Sequence, residues 1–290
     1  MGTVCSGVCH GTLGELVQGP VPDEGELQIG LISLPLQKYS WMHFVRDGAG
    51  DHAAELPDKS KCRRAIALYL DHYGLGWPDG HWLHDSELLL GKGMASSTAD
   101  IVASIRCLDR LFAQQSSLSL MTDILRQVER SDSVFLDRYA LYLSARQKVL
   151  CCFHHDPQFH VCYIDEGGSV DTEAMSARLL AHYRARLADY ERNLQQVVVA
   201  FEDGDRGVIA RCATRSAELA QAVLPKRHLD AMLAQRERFG AAGIVVAHTG
   251  SLIGYLFLAP PDTAAMGELS AFFRALGRQC RFAQSGFPHA

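Results

Sequence analysis

The stretch LLLGKGMASSTADIVASIRCLDRLF, residues Leu88–Phe112, changes character twice along its length. The leucines at its start predict a buried strand, and apolar residues at every third or fourth position after Ala99 predict an amphipathic helix. Between them lies a turn of glycine, lysine and hydroxyl residues. This order of strand, glycine-rich turn and helix is typical of segments that bring backbone N–H groups close to an anion.

The turn contains the residue types that bind phosphate, but in an unusual order. Gly91 and Gly93 allow the backbone to turn sharply and to approach a ligand closely. Ser96–Thr98 lie where the helix begins, where unpaired N–H groups favour an anion, and Lys92 adds a mobile positive charge. Neither the Walker pattern nor the G-x-G-x-x-G dinucleotide pattern matches. From these residues alone, a phosphate site and an ordinary strand-to-helix turn capped by serine are equally compatible with the sequence.

Composition excludes several classes of protein. The chain has 290 residues, 48% of them apolar, and a formal net charge of −5 at pH 7. Its mild acidity and scattered basic residues argue against nucleic-acid binding. The N-terminus lacks the pattern of a secretory signal, no apolar run approaches the roughly 20 residues of a membrane span, and the nine cysteines form no regular framework. We therefore predict a reduced, cytoplasmic protein with no membrane or nucleic-acid partner.

The chain divides into two parts of different composition. The apolar run 27–45 is interrupted by Gly30 and Pro35, which predicts several short strands, whereas helical patterns predominate beyond Gly168. The composition shifts between residues 156 and 168. We therefore predict a nucleotide-binding domain at 1–155 and a C-terminal domain at 156–290.

A cysteine- and histidine-rich segment at 151–162, CCFHHDPQFHVC, offers ligands for zinc. The surrounding residues predict two strands joined by a tight turn at Asp156–Pro157. Because alternate residues of a strand point to opposite faces, the adjacent cysteine and histidine pairs cannot all converge on one ion. A hairpin with small buried cysteines is the favoured interpretation, and a metal site is the alternative.

The segment GKGMASSTADI resembles the second motif of the GHMP kinases, P-x-x-x-G-L-G-S-S-A-A. More narrowly, it resembles the L-threonine kinase branch, in which this motif reads K-G-M-A-S-S-T-A-D-I. In that family the loop surrounds the phosphates of ATP and a serine hydroxyl reaches Mg²⁺. The resemblance therefore implies a cofactor-binding loop made of Gly91, Lys92, Gly93, Met94, Ala95, Ser96, Ser97 and Thr98. It also implies Ser97 as a magnesium ligand, with Ser96 as the alternative.

Two further motifs support the resemblance. CHGTLGELVQG, Cys9–Gly19, resembles the branch's C-P-x-x-C-G-E-L-x-Q-G, which implies that Glu15 and Gln18 bind the acceptor substrate, Glu15 by pairing with a cationic group. VERSDSVF resembles E-P-T-D-S-x-x-F. That match implies Asp132 as the catalytic carboxylate and Glu129 as a second magnesium ligand. Lys92, in the second motif, is implied as the catalytic cation. Without the family, Asp132 could equally cap the next segment.

Two matches follow near the C-terminus. VLPKRHLDAML resembles L-L-P-K-P-x-x-x-x-L, and GIVVAHTGSLIGYLF resembles V-A-H-S-G-S-x-x-G-L, the branch's third motif. The resemblance implies that Thr249, Gly250 and Ser251 close over the substrates from the C-terminal domain. His248 is interpreted as a strand-end histidine rather than as an acid or base.

The resemblance implies a fold and an activity. The expected fold is the two-domain α+β architecture of the GHMP kinases, with the active site in the cleft between the domains. The expected activity is ATP- and Mg²⁺-dependent phosphorylation of free L-threonine to O-phospho-L-threonine, a precursor of the aminopropanol linker of cobalamin. The sequence is also compatible with a homodimer but carries no signal for oligomeric state.

Departures from the motifs leave alternatives open. His10 and Leu13 replace a proline and a cysteine of the first motif, and Arg130–Ser131 replaces the Pro-Thr before the aspartate. These changes lie near the acceptor rather than the phosphates. A kinase for serine or homoserine is therefore one alternative, and a catalytically silent nucleotide-binding regulator is the other.

Overall fold

The computed structural model describes residues 3–46, 56, 59–168 and 172–287, with the side chains of 172–177 left aside. The strands are β1 (Thr3–Asp23), β2 (Glu26–Arg46), β3 (His81–Ser86), β4 (Ala140–Leu143), β5 (Lys148–Cys152), β6 (His160–Asp165), β7 (Gly243–Val246), β8 (Leu252–Phe257) and β9 (Arg281–Gln284). The helices are α1 (Ser60–Tyr73), α2 (Ser96–Phe112), α3 (Leu118–Val128), α4 (Thr172–Ala185), α5 (Leu187–Glu202), α6 (Arg206–Ala220), α7 (Leu229–Gln235) and α8 (Thr263–Ala275). Within these residues, every helix is too short or too polar to cross a membrane.

The strands form one antiparallel sheet in the order β5-β4-β2-β1-β7-β8-β6-β9, with β3 paired to β2. This mixture of helices and antiparallel strands confirms the predicted α+β class. Because β1 pairs with β7, the sheet continues across the predicted boundary at residues 155 and 156. The division into two domains stays a prediction.

The expected short strands at 27–45 form one strand of 21 residues, so that part of the prediction is wrong. Gly30 and Pro35 lie inside β2 and pair with Gly19 and Thr12 of β1. The register shifts in β1 between Thr12 and Glu15, and in β2 between Leu36 and Tyr39. A shift of this kind re-aims side chains without ending the strand.

The predicted hairpin around Asp156–Pro157 is also wrong. β5 pairs with β4, whereas β6 lies at the other end of the sheet between β8 and β9. Phe153 and Phe159 are buried on either side of the expected turn, and Phe153 stacks on Phe201 of α5. The two buried rings anchor the ends of a connection that leads away from β5 instead of back along it.

The expected strand at Leu88–Leu90 is wrong too, because β3 ends at Ser86. Leu88 is buried, and a Cβ on Gly11 would lie 2.5 Å from its side chain. Leu90 is 69% exposed. The segment thus runs irregularly across β1 into the turn before α2.

Helix α2 packs on β1 at a distance that only glycine permits. A Cβ at Gly7 would lie 2.0 Å from the carbonyl oxygen of Ala103 and 2.4 Å from the amide nitrogen of Cys107. Most of the α2 side chains are buried, as the apolar spacing predicts. This close contact sets the height of α2, and therefore of its N-terminus, above the sheet.

We expect Gly7→Ala to lower the free energy of unfolding by about 3 kcal/mol, because a backbone-to-backbone clash has no flexible side chain to relieve it. Gly267→Ala is the matched control. It lies in α8 with no atom within 4 Å of an added Cβ, and should gain roughly 0.5–1 kcal/mol from helix propensity. Urea unfolding midpoints of the two variants measure both effects. An unchanged midpoint for Gly7→Ala would contradict the close packing of α2 on β1.

Candidate active site

The turn before α2 contains three residues in the left-handed backbone conformation, and one of them is not glycine. Gly91, Gly93 and Ala95 have φ angles of 68°, 94° and 53°, all in the left-handed region. Ala95 is the N-cap of α2, and no side chain caps this end of the helix. The helix begins at Ser96, as predicted, but the serine-capped turn that the sequence also allowed does not form. The first N–H groups of α2 therefore keep the donor capacity that an anion requires.

The turn is held between β1 and the turn 247–251 by backbone contacts. Gly14 N–H donates to the Gly93 carbonyl at 3.0 Å, and Ser251 N–H donates to the Lys92 carbonyl at 3.1 Å. A Cβ at Gly250 would lie 2.2 Å from the Lys92 oxygen, and one at Gly93 would lie 2.3 Å from the Ala247 Cβ. The two glycine-rich motifs therefore meet directly.

The two side chains expected to bind magnesium are in contact with each other. Ser97 Oγ donates to Glu129 Oε2 and Thr98 Oγ1 donates to Glu129 Oε1, both at 2.8 Å. Lys61 Nζ lies 2.5 Å from Glu129 Oε2, and its side chain is 54% exposed. A carboxylate beside a hydroxyl is a donor set that fits Mg²⁺, and the exposed lysine can move away from an incoming cation.

No group of three or more His, Cys, Asp or Glu side chains that could hold a metal lies among the described residues. Mg²⁺ characteristically uses one or two protein ligands and completes its shell with water and phosphate oxygens. The Ser97–Glu129 pair therefore suits an ion that arrives with a nucleotide. In the segment 151–162, Cys151 and Cys152 are exposed on β5, whereas Cys162 is buried in β6. Their separation removes the geometric basis for a zinc site there.

Asp132 lies three residues after Glu129 and is half-buried. Burial raises the pKa of its carboxyl well above the usual range, and the nearby charges of Glu15 and Glu129 raise it further, while Arg130 opposes them. Within the described part of the chain no group donates a hydrogen bond to this carboxylate. A carboxylate of raised pKa without a fixed partner has the properties of a general base.

Glu15 is buried where β1 meets β7. Its Oε2 accepts hydrogen bonds from the backbone N–H of His248 at 2.9 Å and from His248 Nδ1 at 3.0 Å. His248 Nε2 lies 3.1 Å from Ser216 Oγ on α6. His248 therefore holds the first motif to the third, and the buried Glu15 carboxylate keeps Oε1 for another partner.

Gln18 is engaged with the C-terminal half of the chain. Its Nε2 donates to the hydroxyl of Tyr183 on α4 at 3.0 Å, and its backbone N–H donates to Ser216 Oγ at 3.1 Å. These contacts fix α4 and α6 against β1. The substrate role expected for Gln18 stays a prediction, with its amide already committed to Tyr183.

Lys92 reaches across to the strand that precedes α4. Its Nζ lies 3.3 Å from Asp165 Oδ2, and Ser251 Oγ donates to Asp165 Oδ1 at 2.5 Å. Burial acts to raise the pKa of Asp165, but hydrogen bonds from Ser251, Gly167 and Lys92 outweigh it and lower that pKa. The structure thus brings Lys92 and Ser251 together, while the neighbouring Thr249 is partly exposed.

Lys226 is a residue of this region to which the sequence gave no role. It belongs to the VLPK match, is 4% exposed and donates from Nζ to the Gly250 carbonyl at 2.5 Å. Burial lowers the pKa of its ammonium, opposed by the charges of Glu166 and Glu15. Lys226 therefore stabilises the turn 247–251, which contacts the glycine turn before α2. The sequence match located the residue, but its burial could not be inferred from the motif.

Asp100 is a second such residue, two positions after Thr98 in the matched motif. It is buried and accepts hydrogen bonds from Ser40 Oγ at 2.5 Å and His84 Nε2 at 2.9 Å, and it forms an ion pair with Lys59. These bonds anchor the start of α2 to β2, β3 and the segment before α1. Asp100 is therefore a structural carboxylate.

Comparison with known proteins supports the resemblance seen in the motifs. Residues 60–144 match the family model described as GHMP kinases N terminal domain, a range that includes the glycine turn, Glu129 and Asp132. The L-threonine kinase of Citrobacter freundii is 27% identical over 257 residues, covering 86% of this chain and 84% of that protein. The L-threonine kinase of Salmonella typhimurium strain LT2 is 25% identical over 262 residues, covering 86% and 81%.

The fold agrees with that of solved kinases. The mevalonate kinase of Methanococcus jannaschii superposes with a TM-score of 0.73 at 11% identity, covering 100% of this chain and 99% of that one. At this identity the likeness concerns the fold alone. Together with the family match, it confirms the predicted GHMP kinase resemblance and fold, and with them the enzyme class, a phosphotransferase with an alcohol acceptor.

Asp132→Asn should make the protein more stable at pH 8 by roughly 1 kcal/mol. The folded protein keeps the Asp132 proton at pH values where the unfolded chain has lost it. Stability therefore falls as the pH rises from the ordinary aspartate pKa to the raised one. Asparagine cannot ionise and escapes this loss, so the two proteins should converge near pH 4.

Thermal unfolding between pH 4 and 8, without Mg²⁺ or nucleotide, measures the difference. Asp137→Asn is the matched control, since Asp137 lies in the same loop with its side chain 78% exposed. Equal stabilities of wild type and Asp132→Asn at pH 8 would show that the carboxyl is not held in an unfavourable environment.

Proposed function

We propose that this chain, which carries the N-terminal domain of the GHMP kinases, is an ATP-dependent kinase that phosphorylates the side-chain hydroxyl of free L-threonine. One observation carries the proposal. The N-terminus of α2 has no side-chain cap, and Ser97 and Glu129 are in contact beside it, with Asp132 on the same segment as Glu129. Phosphoryl transfer requires this set of an anion site, a metal-binding pair and a carboxylate.

Each group has a defined task in the transfer. The first N–H groups of α2 and the ammonium of Lys92 bind phosphate oxygens of ATP. Ser97 and Glu129 would hold Mg²⁺, which when bound neutralises charge on the phosphates. Asp132, in its ionised form, takes the proton of the acceptor hydroxyl. The acceptor oxygen forms a bond to the γ-phosphorus of ATP as the bond from that phosphorus to the ADP oxygen breaks. Lys92 leaves Asp165 to reach the nucleotide.

The assignment of L-threonine rests on two supports. The matching proteins from Citrobacter freundii and Salmonella typhimurium are L-threonine kinases. Glu15 supplies a buried carboxylate for the α-ammonium group, with the Oε1 atom not used by His248. The product, O-phospho-L-threonine, would serve as a cobalamin linker precursor in the cytoplasm. A homodimer stays a prediction.

A kinase for serine or homoserine is the second candidate. It is favoured by Arg130–Ser131, which replaces Pro-Thr directly before Asp132. One methyl group in a pocket changes binding by only about 1–3 kcal/mol, so the choice among these hydroxy amino acids depends on fine differences in packing.

ADP release with Mg-ATP tests the proposal against L-threonine, L-serine, L-homoserine, ethanolamine and 1-amino-2-propanol, with the product followed by ³¹P NMR. We expect L-threonine to have the highest kcat/KM. Preference for another hydroxy amino acid would keep the kinase and replace its substrate. Binding of ATP without turnover of any acceptor would favour the silent regulator.

Asp132→Asn should reduce kcat at least about 1,000-fold while the Kd for ATP changes less than about threefold, because the carboxylate acts on the acceptor rather than on the nucleotide. The exposed neighbour variant Asp137→Asn should retain wild-type turnover. Comparable turnover in wild type and Asp132→Asn would show that the catalytic assignment is wrong.

Ser97→Ala and Glu129→Gln should each raise the Mg²⁺ concentration for half-maximal activity, by roughly 10-fold or more, because each removes one protein ligand. Thr122→Ala on the exposed face of α3 is the control, since its hydroxyl bonds only to its own helix. Titration of activity with Mg²⁺ at saturating acceptor measures the effect. Unchanged midpoints in both variants would exclude this pair as the metal site.

A further inference from the structure

Arg130 directly follows Glu129 and is an exposed residue whose guanidinium is hydrogen-bonded at one end. Its Nε donates to Ser144 Oγ at 2.9 Å, and Ser144 is buried. This single bond uses one N–H and leaves the two terminal nitrogens of the guanidinium. No carboxylate among the described residues pairs with them. An arginine anchored through Nε presents a planar pair of donors whose spacing matches the two oxygens of a carboxylate.

Arg130 lines a cavity of about 620 Å³ between the β1–β2 turn and α4. That volume lies within the range of small-molecule sites. The walls include the apolar side chains Ile29 and Leu180, and a second arginine, Arg184. The one acidic side chain of the lining, Glu26, contacts Arg146 at 3.0 Å, and the two arginines of the lining outnumber it. The cavity therefore has an apolar wall and a net positive charge.

The cavity adjoins the region of the acceptor-site residues. Ile29 belongs to the same apolar cluster as Tyr183, and the Tyr183 hydroxyl accepts the hydrogen bond from Gln18. Arg130 lies two residues before Asp132 in the chain. Its positive charge opposes the rise that burial causes in the pKa of Asp132 and of Tyr183.

Three lysines near the site are already engaged. Lys92 contacts Asp165, and Lys61 contacts Glu129. Lys226 is buried against the Gly250 carbonyl. A free amino acid brings an ammonium group, for which Glu15 is the candidate partner, and a carboxylate, which needs a cation. Arg130 is the arginine beside Asp132 that has no acidic partner in the described part of the chain.

We propose that Arg130 binds the carboxylate of the amino-acid acceptor and thereby selects amino acids over the corresponding amino alcohols. This inference rests on the proposed function, because it requires an amino-acid acceptor whose hydroxyl is phosphorylated while Asp132 takes its proton. The chemistry is specific: the guanidinium recognises the group that distinguishes threonine from 1-amino-2-propanol and serine from ethanolamine.

The test pairs each acceptor with its decarboxylated counterpart in wild type, Arg130→Met and Arg130→Lys. Arg130→Met should lower kcat/KM for the amino acid roughly 10- to 100-fold, mainly through KM, because it removes a charged hydrogen-bonding pair. kcat/KM for the amino alcohol should change less than about threefold, because that acceptor never used the arginine. Arg130→Lys should recover part of the loss, since lysine keeps the charge but not the two-pronged geometry.

Arg126→Met is the matched control. Arg126 lies on the exposed side of α3 and pairs with Asp123 at 2.8 Å, so its loss should leave both acceptors unaffected. The Kd for ATP, measured in all variants, reports whether the phosphate site stays intact.

The outcomes separate this inference from the function on which it rests. Turnover of the amino acid with unchanged selectivity in Arg130→Met would overturn the role of Arg130 and leave the kinase in place. Equal use of amino acid and amino alcohol by the wild type would also overturn it. Absence of turnover with every acceptor would remove the proposed function and this inference together. Loss of the preference for the amino acid over the amino alcohol in Arg130→Met, but not in Arg126→Met, would support both the proposed function and the role of Arg130.

Discussion

The backbone contact between Lys92–Gly93 and the turn 247–251 is the constraint on which the rest of the site depends. A Cβ on Gly250 would overlap the Lys92 carbonyl, and one on Gly93 would overlap Ala247. Only glycine allows two turns to approach so closely, and only left-handed φ angles bring the chain from this contact into α2. The positions of the α2 N-terminus and of Lys92 both follow from this contact.

Around this contact the protein buries polar groups that would be costly if unpaired. Glu15, His248, Ser216, Gln18 and Tyr183 form a continuous chain of hydrogen bonds from β1 through the turn after β7 to α6 and α4. A buried network of this kind is stable when its members are satisfied, and it then fixes one arrangement of the elements that contribute to it. The network therefore joins the N- and C-terminal halves of the chain around Glu15.

Three carboxylates around the turn before α2 differ in how far their negative charge is compensated. Glu129 and Asp165 each have a lysine and at least one hydroxyl partner, so their negative charge is compensated. Asp132 has no such partner among the described residues, and burial raises the pKa of its carboxyl. A protein that leaves one carboxylate in this state accepts a cost in stability, which is typical of a group that takes part in chemistry.

The sequence by itself determined the local features: the start of α2 at Ser96, its apolar face and the glycine turn. The candidates Ser97, Glu129 and Asp132 came from the resemblance of short motifs to a known family. Turn chemistry and helical periodicity depend on neighbours in the chain, so they can be inferred from short segments. Tertiary structure decided that β2 runs unbroken through Pro35, that β5 and β6 lie far apart in the sheet, and that Glu15 pairs with His248. It also decided the raised pKa of Asp132 and left the terminal nitrogens of Arg130 without an acidic partner among the described residues. Strand partners, burial and the distances between charges depend on residues far apart in the sequence, and no local pattern specifies them.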